Sequence, residues 1–94
     1  MEQKVFRRIL EKLKGLPART WKESARGYQT SLGKGFSVEI RENVTYLDSG
    51  NIHQHELLVY QNGKPVDKRY DGVISELYRK VKDESKSRPL RKLE

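Results

Sequence analysis

Hydrophobic residues recur along this chain at two periods, and the change between them separates helix from strand. From residue 2 to 14, Val5, Phe6, Ile9, Leu10 and Leu13 fall at i, i+1, i+4, i+5 and i+8, the apolar stripe of a helix. Lys4, Arg8 and Lys12 form a basic rail beside it, with Arg7 and Lys14 on the outer face, and Gly15 and Pro17 end the pattern. From Tyr28 the period becomes two. Tyr28, Thr30 and Leu32 alternate with Gln29 and Ser31; Phe36, Val38 and Ile40 alternate with Ser37, Glu39 and Arg41. Such alternation predicts strands with one buried and one wet face.

Val44 to Leu47 extends the second strand past an expected irregularity at Glu42-Asn43, and Asp48-Ser49-Gly50-Asn51 reads as a loop. Glu56-Leu57-Leu58-Val59-Tyr60 is apolar on both faces and predicts a central strand. Asn62-Gly63 then predicts a type I′ hairpin, which needs two residues tolerant of positive φ. The returning strand, Val66 to Tyr70, begins beside Pro65, which lacks the ladder donor and favours an edge. Asp71 can cap a second helix, in which Val73, Ile74, Leu77, Tyr78 and Val81 repeat the spacing of the first. Glu76–Lys80 and Arg79–Asp83 are supportive i,i+4 pairs. Thr20-Trp21-Lys22-Glu23 fits a capping box for one helical turn and equally an irregular lead-in to the first strand.

The expected fold is therefore α+β: an N-terminal helix, an antiparallel meander of three to four strands and a C-terminal helix, in two layers. Residues 1–84 form the one expected domain, and 85–94 a basic, disordered tail with little to bury.

Composition narrows the function classes. Ninety-four residues make one domain with a small core. The chain has no cysteine, so disulfides and thiolate metal sites are excluded. The N-terminal residues alternate charge with apolar side chains, unlike a secretory signal, and no apolar run is long enough for a membrane span. A cytoplasmic protein without membrane partners is the expectation. The Asn43-Val44-Thr45 sequon has no consequence in that setting. The net charge of +7 is unevenly placed. Residues 1–35 carry nine Lys/Arg against three Asp/Glu, residues 36–63 one against four, and residues 64–94 ten against six. An electrostatic partner site is expected on the basic terminal segments.

Candidate chemistry is sparse. Gly27 to Gly35, G-Y-Q-T-S-L-G-K-G, superficially resembles a phosphate loop. A nucleotide loop needs G-x-x-x-x-G-K-[ST] leading into a helix. Here five residues separate Gly27 from Gly33, Gly35 stands in the hydroxyl position, and a strand pattern follows. Gly33-Lys34-Gly35 is expected to be a hairpin turn with Lys34 in water. His53 and His55 share one face of an extended segment, a fair start to a metal site, but no third ligand is evident among Asp48 and Glu56. No Gly-x-Ser-x-Gly elbow or nucleophilic cysteine occurs. No catalytic, metal or cofactor site is expected.

The order helix–strands–helix is similar to that of the double-stranded RNA-binding domain. That family opens its last helix with a G-x-G-x-S-K-K-x-A-K-like run, whereas this chain has Asp71-Gly72-Val73-Ile74-Ser75-Glu76, so its function is not carried over. Trp21, Tyr28, Leu32, Val38, Ile40, Leu57 to Tyr60, Gly63-Lys64-Pro65-Val66 and Leu77-Tyr78 resemble a small α+β domain of bacterial proteins across about residues 20–82. The resemblance implies the same fold and a bacterial cytosolic setting, and brings no assigned chemistry.

The leading expectation is a non-enzymatic module that binds another protein, or a second copy of itself, through a sheet edge or exposed apolar positions. The alternative is nucleic-acid binding by the basic helices and tail. The residues expected to touch a partner are Lys4, Arg8, Lys12, Trp21, Lys22, Arg26, Tyr28, Lys34, Arg79, Lys82 and Arg88. Under the nucleic-acid alternative, a base would stack on Trp21 beside cations.

Overall fold

The computed structural model describes residues 2–93, and their side chains except at positions 18 and 86–93. Helix α1 spans Gln3–Lys14, and a short 3-10 turn, Ala18–Thr20, leads into the sheet. The strands are β1 Lys22–Glu23, β2 Gly27–Gly33, β3 Phe36–Leu47, β4 Gly50–Gln61 and β5 Lys64–Tyr70, followed by α2, Gly72–Leu93. All neighbours are antiparallel in the order β1-β2-β3-β4-β5. The α+β class agrees with the apolar pattern. The basic tail expected at 85–94 has its side chains outside the described residues from position 86 onward.

Five strands replace the three to four expected. The additional strand is β1, whose Lys22 pairs with Gln29 and Glu23 with Tyr28. The Thr20–Glu23 capping box does not start a helix. Trp21 is only 3% exposed, and burying its indole draws the chain into extended geometry; Ser24 N–H then donates to the Gly27 carbonyl at 2.9 Å to turn it back. A second difference lies at Glu42-Asn43, where β3 is unbroken: its register with β4 holds from Phe36↔Gln61 to Leu47↔Gly50. The loop expected over 48–51 narrows to Asp48-Ser49. The irregularities fall instead in shorter neighbours, where β2 carries one extra residue at Leu32 and β5 one at Val66.

Two of the hairpins close by the same turn chemistry. Lys34 (φ 53°) and Gly35 (φ 80°) join β2 to β3, and Asn62 (φ 52°) and Gly63 (φ 81°) join β4 to β5. Both pairs have the positive φ values of a type I′ turn. Gly27 is required for a different reason: a Cβ there would lie 1.9 Å from the Ile40 carbonyl oxygen.

One cluster forms the core. Phe6, Leu10 and Leu13 from α1 and Ile74, Leu77, Tyr78 and Val81 from α2 meet Tyr28, Val38, Ile40, Leu57 and Val59 from the sheet, with Trp21 among them. The apolar stripes of both helices therefore join one cluster with the sheet. α1 contacts β5 at one end, where Arg69 stacks on Phe6 (4.4 Å) and bonds Gln3. At its other end Lys12 Nζ donates to the Leu32 carbonyl of β2 at 3.1 Å. Asp71 caps α2 by accepting the Val73 N–H at 2.9 Å.

β3 and β4 outrun their neighbours. β2 pairs with β3 only as far as Arg41, and β5 with β4 only as far as Glu56. Beyond the Glu42↔His55 pair, residues 43–54 therefore project as a two-stranded arm, with Tyr46, Leu47 and Ile52 exposed near its tip.

Candidate functional site

The expected contact residues fall into separate places. Trp21 and Tyr28 are core residues, 3% and 8% exposed, which corrects the expectation that they face a partner. Without an open ring face, Trp21 offers a base nothing to stack on. Tyr28 packs on Tyr78 with ring centroids 5.7 Å apart. Burial pushes both phenols above their ordinary pKa, aided by the nearby carboxylates Glu23 for Tyr28 and Glu42 for Tyr78. Arg26 is exposed in the β1–β2 connection, and its carbonyl accepts the Glu42 N–H. Lys22 lines a cleft of about 410 Å³ with Thr20, Gln29, Thr30, Ser31 and Ser37. On α2, Arg79 is exposed and Lys82 lies 5.9 Å from the Tyr78 ring. The Arg88 side chain is outside the described residues.

Three of the residues do converge. Arg8 and Lys12 of α1 and Lys34 of the β2–β3 turn surround a groove of about 280 Å³ whose remaining lining is Val5, Ile9, Leu32, Gly33 and Phe36. The groove lies where α1, tied to β2 by the Lys12–Leu32 bond, flanks the β2–β3 turn. Leu32, the extra residue of β2, lines it together with Ile9, and Lys34 of the type I′ turn completes the rim. Val5 is 40% exposed, so the floor is apolar and wet, and among the described residues no carboxylate lines it. Lys4 continues the rail along α1 beyond the lining.

The two histidines acquire partners that sequence spacing did not reveal. Glu42, opposite His55 on β3, reaches both rings: Oε2 lies 3.0 Å from His55 Nε2, and Oε1 3.8 Å from His53 Nδ1. His55 Nδ1 lies 2.9 Å from Ser75 Oγ in the first turn of α2. As a carboxylate, Glu42 only accepts, so Nε2 donates; in the neutral ring Nδ1 then accepts from the serine hydroxyl. Glu42, His55 and Ser75 thus form a carboxylate–imidazole–hydroxyl line. The signal missed was cross-strand pairing, because β3 position 42 faces β4 position 55 only once the register is known.

This line braces the molecule. His55 is 7% exposed and packs 4.6 Å from the Tyr78 ring. The neighbouring N–H groups, the kind that hold an oxyanion, are engaged: Val73 N–H on the Asp71 carboxylate, and those of Ile74 and Ser75 on the Asp71 carbonyl. Both His55 nitrogens are occupied, so neither presents a lone pair to a metal. Among the described residues no three of His, Cys, Asp or Glu form a metal-holding group.

The sheet face away from the core cluster carries a charge ladder of Glu39, Arg41, Glu56 and Lys68 across three strands. Glu56 is 3% exposed, with Lys68 Nζ 3.4 Å from its Oε2. Burial alone would push its pKa up. Hydrogen bonds from Tyr70 and Asn43 and the Lys68 ammonium outweigh that and hold it below the usual carboxylate value. At Asp67 the Arg69 guanidinium and the Lys68 N–H likewise outweigh burial and lower the pKa.

Compared with known proteins, the chain matches no family model, no curated protein and no solved structure. Among the described residues no helix is long and apolar enough to cross a membrane.

Proposed function

We propose that the protein is a small non-enzymatic binding module, built as two layers, whose contact surface for a protein partner is the groove between α1 and the β2–β3 turn. The observation that carries this reading is the ring of Arg8, Lys12 and Lys34 around the apolar floor of Val5, Ile9, Leu32 and Phe36. An apolar floor anchors a side chain by burial, and a wholly cationic rim selects acidic flanks while repelling basic ones. The partner segment is therefore apolar with acidic neighbours. The β5 edge is a weaker place for added strands, since Pro65, the Val66 bulge and Lys64 and Lys68 are the devices that blunt an edge.

A labelled amphipathic peptide carrying Leu and Phe anchors between glutamates tests the reading by fluorescence anisotropy. Binding should weaken roughly tenfold or more in Arg8→Glu/Lys34→Glu, and with added salt. Equal binding by that variant would remove the groove from the account. Nucleic-acid binding remains the alternative, on the net charge of +7 and the cations that α2 adds at Arg79, Lys80 and Lys82. Duplex DNA bound with a log–log salt slope of about −5, and insensitive to the groove variant, would favour it instead.

A further inference from the structure

We infer that the occupant of this groove is the β3–β4 arm of a second copy, so that two chains clasp each other through two equivalent arm-in-groove contacts. The inference rests on the groove reading above and names its partner.

Three observations converge on it. Of the six large exposed hydrophobics among the described residues, four lie at the two places to be joined, and the other two, Val66 and Tyr70, lie on β5. Tyr46, Leu47 and Ile52 are 77%, 48% and 45% exposed near the arm tip, and Val5 is 40% exposed in the groove. A two-stranded ribbon is at best marginal alone, so an arm with apolar side chains in water gains from a surface to lie on. Leu47 and Ile52 stand on one face of the arm, as diagonal neighbours around the pairs Thr45↔Ile52 and Leu47↔Gly50, and can enter a groove together.

Charge matches as well. Between residues 43 and 55 the only Asp, Glu, Lys or Arg is Asp48, at the tip. The groove rim is Arg8, Lys12 and Lys34. Of the four carboxylates in residues 36–63, Glu39, Glu42 and Glu56 have partners within the sheet, which leaves Asp48 to face the rim of a second copy. A chain of net charge +7 repels its copies at long range, yet apposing its acidic arm to its basic groove is attractive at contact.

Geometry makes the contact intermolecular. The groove lies at the Phe36 end of β3 and the arm tip at its Leu47 end, about 35 Å apart at strand rise. An arm cannot fold back across that length of paired sheet. Two molecules lying antiparallel place each arm over the other's groove, an isologous arrangement that closes at two chains.

Sedimentation equilibrium on the full chain, at concentrations up to about 1 mM, tests this. A mass of two chains is expected, with dissociation promoted by salt. Leu47→Glu/Ile52→Glu, at exposed positions, should raise the dimer Kd roughly tenfold or more while leaving the circular dichroism spectrum unchanged. Asp48→Lys should act in the same direction, and pairing it with Lys34→Asp should recover part of the loss. Because the chain has no cysteine, an equimolar mixture of Asp48→Cys and Lys34→Cys proteins should form an interchain disulfide on mild oxidation.

A single-chain mass throughout, growth beyond two chains, or a dimer indifferent to Leu47→Glu/Ile52→Glu would each overturn the clasp. Should the chain be monomeric while the acidic peptide still binds at Arg8 and Lys34, this inference fails and the groove reading stands. If neither the peptide nor a second copy binds, both fail.

Discussion

The Asn62 amide N–H donates to the Gly35 carbonyl at 2.8 Å, tying the β2–β3 turn to the β4–β5 turn at one end of the sheet. The contact is close enough that a Cβ on Gly35 would stand 2.3 Å from Asn62 Oδ1. Gly35 is also at φ 80°, a region that other residues enter at a cost.

Two glycine substitutions should separate these effects. Gly35→Ala meets the movable end of the Asn62 side chain, so its cost is chiefly the backbone angle, about 1–2 kcal/mol. Gly27→Ala meets the Ile40 backbone carbonyl, which cannot step aside without disturbing the β2–β3 ladder, and should cost about 2–3 kcal/mol or more. Urea midpoints at constant m-value would measure both. A Gly27→Ala protein as stable as the parent would show that β2 and β3 lie farther apart than described.

The brace from Glu42 through His55 to Ser75 should behave as a unit. Ser75→Ala leaves Nδ1 of a buried imidazole unpaired, and Glu42→Gln weakens the bond at Nε2; each should destabilise by about 1–2 kcal/mol. The double variant should cost less than the sum of the two, because the groups share one ring. Strict additivity in a double-mutant cycle would argue against coupling through His55.

Acid stability should depend on Glu56. Its folded-state pKa is below the ordinary carboxylate value of 4.5, so below that value the unfolded chain takes up its proton first. The contribution is therefore present above about pH 4.5 and lost as pH falls through the lower folded value. Asp67 adds a term of the same sign from its ordinary 3.8 downward. Urea midpoints below pH 5 should fall less steeply in Glu56→Gln than in the parent, and parallel curves would contradict the ion pair of the buried Glu56 with Lys68.

Alkali should act through Tyr28 and Tyr78. Both phenols are raised above 10.0 by burial, so the unfolded chain ionises first as pH rises past 10. Their stabilisation is present below pH 10 and lost as pH climbs through the raised folded values. Tyrosinate absorbance should lag for two of the five tyrosines and appear together with loss of structure. Simple titration of all five in the folded state would place these rings outside the core.

Trp21 offers a probe of the core. Its indole Nε1 is buried without a hydrogen-bond partner, so Trp21→Phe loses packing volume but no bond. It should cost about 1–2 kcal/mol, against about 3–5 kcal/mol for Trp21→Ala. Tryptophan emission should be blue-shifted, and titration with duplex DNA should leave it unchanged.

Much of this was legible along the chain. The stripes Val5–Leu13 and Val73–Val81 determined two amphipathic helices, and the alternation from Tyr28 to Ile40 determined half-buried strands, because side-chain direction follows backbone period. Lys34-Gly35 and Asn62-Gly63 carried their turns locally, since positive φ is a property of the residues that tolerate it. Asp71 likewise carried its cap, needing only an N–H two residues on. What the tertiary structure decided was every relation between distant positions. Trp21 is core because it joins the cluster that both helices and the sheet form, and the chain beside it pairs as β1. Glu42 meets His55 and Ser75 only through a register that no local signal encodes. Arg8, Lys12 and Lys34 become one rim because α1 packs beside the β2–β3 turn. Local propensity is written in neighbouring residues; a site is made of residues whose proximity exists only after the chain has packed.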